Sequence, residues 1–443
     1  MRPHPLKALG VSAGLSALFL IVYGGCNFIT GQRGSVGTIF FEWERHIPFV
    51  PLLIAPYLSI DLFVVCAPFL CGSERELRTF TKRVAAAIVV AGICFLAFPL
   101  RFAFARPQTD GTLGAIFDWF RTMDAPFNLV PSLHIALAGL LVVTYRRHTR
   151  GVIRETVTIW FALIAASAVL TFQHHFLDVV GGFALAGYCF YFIREEPAAL
   201  SAIFVPRIGV RYAAGAVVLL AGAITSWPWG AMLLWPMTTL ALVASAYFGV
   251  GPGIFRKSDG VLPWSTYWAL GSMIVGQHLS RLYYRRQCRA WDAVTPNVWI
   301  GSALSRREAQ AAVRAGVTSV LDLTAEFSAP RVFRALRYRN IPILDLTAPS
   351  VAQLEEMARF IAAEAERGIV YVHCKIGFSR SAAAVAAYLL RSGRADEVEE
   401  SLAQLRRARP SIVIRPEVQR ALMEFQARGG RNFVLASNES DRL

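Results

Sequence analysis

Apolar residues come in long unbroken runs over the first 250 positions and in short, interrupted ones after position 290, so one chain is patterned for two different solvents. The long runs cover 8–29, 48–71, 84–100, 129–145, 157–173, 176–193, 212–225 and 231–250. They predict eight membrane-spanning helices, the fifth and sixth joined by a very tight turn and the last two by a Trp227-Pro228-Trp229 corner suited to a membrane interface. The first run follows Arg2 and Lys7 as a signal peptide would, but it is too long for such a peptide's apolar segment and more spans follow it, so it is read as a span.

After position 290 the rhythm becomes that of a soluble α/β fold. Runs at 317–323, 338–344 and 369–372 read as strands. Ser305 with Glu308 and Ser350 with Gln353 are capping-box starts of helices that stop at Gly316 and near Gly368. Leu354, Met357 and Ile361 give the second of these an apolar stripe, 379–390 reads as an Ala-rich helix, and a further helix from Asp396 carries Val398, Leu402 and Leu405 before Pro410. The expected architecture is a multi-pass α-helical membrane domain (1–250), a basic interfacial helix and linker (251–290), an α/β domain around a central sheet (291–430) and a disordered tail (431–443).

Composition agrees with a membrane protein carrying a soluble domain: of 443 residues 55% are hydrophobic and 17% charged. The net charge of +15 could suggest a nucleic-acid partner, but the cations cluster at the ends of apolar runs, so no nucleic acid is expected. Arg75, Arg78, Lys82 and Arg83, then Arg146, Arg147, Arg150 and Arg154, then Arg207 and Arg211 fall on one side, which the positive-inside rule makes cytoplasmic. Eight spans put both ends there, giving an integral membrane protein, of a bacterial inner membrane in the reading adopted, with its C-terminal domain in the cytoplasm. The stretch 261–278 is apolar enough for a ninth span, but it holds Pro263, Gly271, Gln277 and His278. Flanked by Arg256 and Lys257 and by Arg281, Arg285, Arg286 and Arg289, it is expected to lie on the cytoplasmic leaflet. The cysteines at 26, 66, 71, 94, 189, 288 and 374 have no metal or disulfide spacing, and no metal or cofactor is expected.

The strand at 369–372 feeds His373-Cys374-Lys375-Ile376-Gly377-Phe378-Ser379-Arg380-Ser381. A loop between a buried strand and a helix N-terminus turns backbone N–H groups toward an anion, and with His373 and Arg380 nearby it favours a thiolate at Cys374. Arg380 offers a planar fork for two phosphoryl oxygens, and Ser381 can hydrogen-bond the departing thiolate. Asp345, after the apolar run 338–344, is the candidate proton donor to a leaving alkoxide. The structural alternatives are a buried cysteine with an accidental arginine, or a loop that has lost its activity.

Cys-x5-Arg with an upstream aspartate resembles the dual-specificity branch of the protein tyrosine phosphatase superfamily, over roughly 296–426. The resemblance implies an α/β dual-specificity-phosphatase-like fold in which Cys374 forms a phosphocysteine, Arg380 holds the phosphate, Asp345 acts as acid and then base, and Ser381 assists hydrolysis. Lys375, Ile376, Gly377, Phe378 and Ser379 then wrap the phosphate. The lysine after the cysteine is similar to members acting on phospholipid or inositol head groups.

A second constellation sits at one end of the membrane runs: Pro131-Ser132-Leu133-His134, then His174, His175 and Asp178. His174 and Asp178 are spaced i, i+4, which lets the carboxylate orient the imidazole, while lone ionisable groups at span ends are ordinarily interface residues. These residues resemble the later motifs of the type 2 phosphatidic acid phosphatase superfamily over roughly 98–182, implying His174 as nucleophile, Asp178 as its orienter and His134 as acid. The chain departs from that signature at Pro99 and Ala168, where a lysine and an arginine are expected. Arg106 is taken as the substitute cation, with Arg101 the alternative. The abbreviated pattern is closer to the branch containing inositol phosphorylceramide and sphingomyelin synthases, and His175 is read as a bystander.

The leading expectation is therefore a membrane-bound phosphatase of phosphomonoesters, lipid head groups first, with a second histidine-dependent lipid phosphatase or phosphotransferase site. The expected partners are a phospholipid or other phosphomonoester and the bilayer, with oligomeric state open. The alternatives are a protein tyrosine/serine/threonine phosphatase whose membrane half anchors it or senses lipid, and a lipid transporter or scaffold with relic sites.

Overall fold

The computed structural model describes residues 2–195, 203–227 and 229–440, and the chain forms two compact units, Met1–Pro197 and Ala198–Leu443. The division falls well before the expected boundary near 250. Its cause is packing: Val243, Tyr247, Ile254 and Phe255 share one apolar core with Leu262, Leu270, Ala325 and Leu344, so the last two apolar helices belong to the C-terminal unit.

The first unit is helical: α1 (Pro5–Gly31), α2 (Ile54–Leu70), α3 (Glu74–Ala97), α4 (Gly111–Met123), α5 (Leu133–His148), α6 (Gly151–Leu170) and α7 (Phe176–Phe192). Apolar faces of α1, α2, α3, α5 and α7 meet in one core that includes Ile60, Leu77, Val84, Ile88, Phe95, Leu140 and Leu141. The second unit opens with α8 (Pro206–Thr225) and α9 (Leu234–Tyr247), a hairpin packed along its length.

Among the described residues six helices are long and apolar enough to cross a membrane, against the eight runs read as spans. The fourth and sixth runs form α5 and α7, of 16 and 17 residues. At 1.5 Å per residue these reach only about 25 Å, short of a hydrocarbon layer of about 30 Å. α5 begins four residues into its run because 129–132 form the loop that carries Ser132, whereas α7 begins with its run at Phe176, directly after its N-cap His175.

The expected interfacial helix is two helices, α10 (Trp264–Ala269) and α11 (Gly271–Arg285), broken at Leu270, whose buried side chain joins the core shared with Leu344. Lys257 does not face lipid. Its Nζ lies 2.7 Å from Asp322 Oδ2 and also donates to the Thr324 carbonyl at 2.8 Å, within the α/β domain. A cation beside an apolar run has the same sequence signature whether it meets lipid phosphate or a buried acid.

The α/β domain then follows as β1 (Trp291–Thr295), β2 (Val298–Ser302), α12 (Arg306–Arg314), β3 (Val317–Thr324), α13 (Arg331–Arg334), β4 (Arg337–Ile343), α14 (Val351–Ala365), β5 (Ile369–Cys374), α15 (Arg380–Arg391), α16 (Val398–Ala408) and α17 (Pro416–Ser440). The five strands are ordered β1-β2-β5-β3-β4, with β1 antiparallel to β2 and the remaining pairs parallel. Both expected capping boxes form, Ser305 with Glu308 and Ser350 with Gln353. One sheet face is covered by α14 to α17 and the other by α12 and α13. The run of alanines from Ala382 to Ala387 around Val385 is fully buried, which lets α15 approach the sheet beneath the Cys374 loop. Where a disordered tail is expected, α17 continues through Gly429 and Gly430 to Ser440. Residues 441–443 lie outside the described residues.

Candidate active sites

Parallel register brings the ends of three strands to one point, with Ser302 of β2 paired to Cys374 and Asp322 of β3 paired to His373. Cys374 is 4% exposed, and its Sγ accepts the Gly377 N–H at 3.3 Å and lies 3.4 Å from Ser381 Oγ. Gly377 has φ +86°, and a Cβ there would sit 2.7 Å from the Gly301 backbone, so the turn requires glycine. The loop is held from behind by Arg409, buried and absent from the sequence reading. Its Nη2 donates to the Ile376 carbonyl at 2.9 Å, its Nε to the Gly377 carbonyl at 3.0 Å, and its Nη1 pairs with Asp292 at 2.6 Å. In a trans peptide C=O and N–H point opposite ways, so turning the Ile376 carbonyl to Arg409 aims the Gly377 N–H at sulfur. Burial pushes the Cys374 thiol up, but the Arg380 charge and the hydrogen bonds from Ser381 and Gly377 outweigh it and hold the thiol below its ordinary value.

Arg380 is 3% exposed and forms a forked pair with Glu326, at 2.7 Å from Nη2 and 3.1 Å from Nη1, while Nη1 also donates to the Ile343 carbonyl at 2.8 Å. Glu326 was not anticipated; it follows β3 and fixes the guanidinium plane. Nε–H and one Nη2 hydrogen remain for an anion. Asp345 joins the same cluster, with Oδ2 2.9 Å from Lys375 Nζ and Oδ1 3.6 Å from Arg380. Burial raises the Asp345 carboxyl, and the charges of Arg380 and Lys375 override that and hold it below the usual carboxylate range. Lys375 also donates to Gln277 of α11 at 2.8 Å. The Asp345 carbonyl accepts from Tyr247 Oη of α9 at 2.8 Å, tying the loop to the apolar hairpin.

The remaining loop residues divide by environment: Ile376 is buried, Phe378 lies edge-on to Tyr284 at 6.2 Å, and Ser379 caps α15 without a side-chain bond. His373 does not assist the thiolate as expected. Its ring packs on Tyr371 and Phe333, neither nitrogen has a hydrogen-bond partner, and burial lowers its pKa so that the ring is neutral.

In the first unit His134 and His174 line one cavity of about 490 Å³. His174 Nδ1 is 3.3 Å from Asp178 Oδ2, which also accepts the His175 N–H at 2.8 Å. The His134 ring stacks on Tyr57 with centroids 4.0 Å apart, leaving Nε2 without a partner. His175 is committed elsewhere. Its Nε2 accepts the Ala103 N–H at 3.0 Å, so Nδ1 carries the proton and donates to buried Glu44 at 2.9 Å. The sequence reading missed Asp124, which lines the cavity and accepts from Tyr23 Oη at 2.8 Å. Burial pushes the Asp124 carboxyl up, against the opposing pull of Tyr23, Arg106 and His174. Arg106 donates to the Phe172 carbonyl at 3.3 Å, and the arginine that lines the cavity is Arg121, an assignment that spacing alone did not suggest.

A family model described as the dual specificity phosphatase catalytic domain matches residues 298–428, and one described as the PAP2 superfamily matches 45–192. Dual specificity phosphatase 28 of Mus musculus is 33% identical over 119 residues, covering 26% of this chain and 72% of that protein. Phosphatidylglycerophosphate phosphatase PTPMT2 of Arabidopsis thaliana is 27% identical over 155 residues, covering 33% of this chain and 68% of that protein. Dual specificity protein phosphatase 2 of Homo sapiens is 36% identical over 104 residues, covering 23% of this chain, and the chain spans only 32% of that relative's length.

Proposed function

The chain belongs to the dual-specificity phosphatase family of phosphoric monoester hydrolases, joined to a membrane half of the PAP2 superfamily, and from that premise we propose that it dephosphorylates a membrane phospholipid bearing a terminal phosphomonoester. The observation that carries the lipid reading is the bond from Tyr247 of the apolar hairpin to the Asp345 carbonyl, which places the proton donor's loop beside a membrane-type helix. The relative named phosphatidylglycerophosphate phosphatase supports it, as does a loop-charge asymmetry that by the positive-inside rule favours the cytoplasmic face for this domain.

Thiolate Cys374 attacks phosphorus in line, with charge on the equatorial oxygens taken up by the free Nε–H and Nη2–H of Arg380 and by the loop amides. Substrate phosphate competes with Asp345 for Lys375 and Arg380, so the Asp345 carboxyl gains a proton and passes it to the leaving alkoxide. Water then attacks the phosphocysteine, Asp345 takes its proton, and Ser381 hydrogen-bonds the released thiolate. Phosphate release by the purified full-length protein from a lipid phosphomonoester and from phosphopeptides tests this. Higher kcat/KM for the lipid, lost in Cys374→Ser, is expected; preference for phosphopeptides makes the membrane half an anchor.

The cavity lined by His134, His174 and Asp124, with Asp178 held at His174 Nδ1, favours a second reaction, phosphoryl or phospho-head-group transfer through His174 with His134 protonating the leaving group. Loss of a lipid reaction in His174→Ala that Cys374→Ser retains is the expected result, and an unchanged lipid profile would make the cavity structural.

A further inference from the structure

Immediately beyond Asp345 the chain forms one wall of an open cleft of about 770 Å³, whose other wall is the start of α8. Arg207 and Arg211, one turn apart on α8, and Arg415 before α17 line it, with Glu417 the one acid among the described lining residues. None of these arginines forms an ion pair among the described residues. The rest of the lining is largely apolar, with Phe204 72% exposed and Leu346, at φ +64°, 41% exposed. The cleft is tied to the catalytic loop: Val205 N–H donates to the Tyr247 carbonyl at 2.8 Å, Tyr212 stacks on Tyr247 at 5.7 Å, and Tyr247 Oη holds the Asp345 carbonyl. Guanidinium groups at the mouth of an apolar cleft, at the end of a helix apolar enough to span a membrane, match an anionic amphiphile at head-group depth.

We propose that this cleft is a binding site for the phosphodiester group of a glycerophospholipid, held by Arg207, Arg211 and Arg415, with an acyl chain along Phe204 and Ile208. The inference rests on the lipid reading above and adds to it a recognition element outside the Cys374 loop. The phosphodiester is either the substrate's own, lying between its terminal phosphomonoester and its acyl chains, or that of a neighbouring bilayer lipid. Either source meets the same chemistry.

The test uses the full-length protein in maltoside micelles free of phospholipid. Substrates are a diacyl lipid carrying a phosphodiester followed by a phosphomonoester, and phosphatidic acid, which has the monoester alone. The readout is the ratio of their kcat/KM values, for the wild type and for Arg207→Gln/Arg211→Gln/Arg415→Gln. Losing charge-assisted bonds to one anion is expected to lower that ratio about tenfold or more if the phosphodiester is the substrate's own. If it belongs to a neighbour, added phosphatidylglycerol raises turnover of phosphatidic acid in the wild type and not in the variant. A ratio within twofold of wild type together with no response to phosphatidylglycerol overturns the site, and so does a variant that loses both substrates equally. If the wild type prefers phosphopeptides to both lipids, the lipid reading itself fails, an outcome read from the unmutated protein.

Discussion

Lys375 Nζ stands 2.9 Å from Asp345 Oδ2, so the residue that follows the candidate nucleophile holds the candidate acid in its ionised form. An ionised carboxylate cannot protonate a leaving group, and the arrangement makes acid catalysis conditional on an anion drawing Lys375 away. Replacing Lys375 with methionine removes one depressing charge and raises the Asp345 pKa. The falling alkaline limb of kcat/KM for esters with poor leaving groups, which reports the enzyme before substrate draws Lys375 away, then moves to higher pH. Its absence from a pH profile of Lys375→Met, measured beside an Asp345→Asn control, would assign the acid to another residue.

Glu326 grips the Arg380 guanidinium by two oxygens and is itself buried, so it acts by positioning. In Glu326→Gln the fork loses its anchor and the arginine can tilt from the loop. A displacement of that kind costs about 10²-fold in kcat. The Cys374 thiol pKa, followed by alkylation rate against pH, is expected to shift as Arg380 moves, a change that a purely structural role for Glu326 would not produce.

Asp322 lies under the loop with Lys257, Tyr338 and Thr324 as partners, the Tyr338 Oη at 2.6 Å. Burial raises the carboxyl, but the charges and hydrogen bonds around it hold its folded pKa below the unfolded value. The stabilisation is therefore present above an unfolded pKa of about 3.9 and is lost as pH falls toward the folded one. Lys257→Met leaves a buried charge without its counter-ion, at about 3–5 kcal/mol in denaturant unfolding near neutral pH. The double variant Lys257→Met/Asp322→Asn is expected to recover part of that loss; no recovery would mean that Lys257 acts by packing alone.

What the sequence disclosed and what it hid follow from distance along the chain. The Cys374 to Arg380 loop and the His174 to Asp178 pair were legible because their chemistry is written in spacings of a few residues, and the capping boxes at Ser305 and Ser350 for the same reason. Lys257 pairs with a residue 65 positions away and Glu44 with one 131 away, and neither partnership leaves a local pattern. Glu326, Arg409 and Asp124 were missed on the same ground, each being an unremarkable charge until the fold delivers its partner. The α8 to α9 hairpin was placed with the membrane half because its hydropathy is that of a span, whereas its packing partners, Ala325 and Leu344, lie in the other half of the sequence.

Adjacent His174 and His175 offer a direct separation of chemistry from support. His174 faces the cavity with Asp178 at its Nδ1, while both nitrogens of His175 are bound to Ala103 and Glu44 and its ring is stacked on Phe102 at 4.3 Å. Removing the His174 ring takes away a candidate nucleophile and leaves the Glu44 network whole, while Asp178 loses a longer bond and keeps the His175 N–H, so His174→Ala is expected to lose the membrane-site reaction with a smaller fall in unfolding temperature than His175→Ala. Removing the His175 ring leaves Glu44 buried without its imidazole, costing about 1–3 kcal/mol or more for a charged group. His175→Ala should therefore unfold several degrees earlier in detergent, and whatever fraction remains folded should keep His174 chemistry. The reverse pattern, with His175→Ala stable but inactive, would move the nucleophile one residue along the chain.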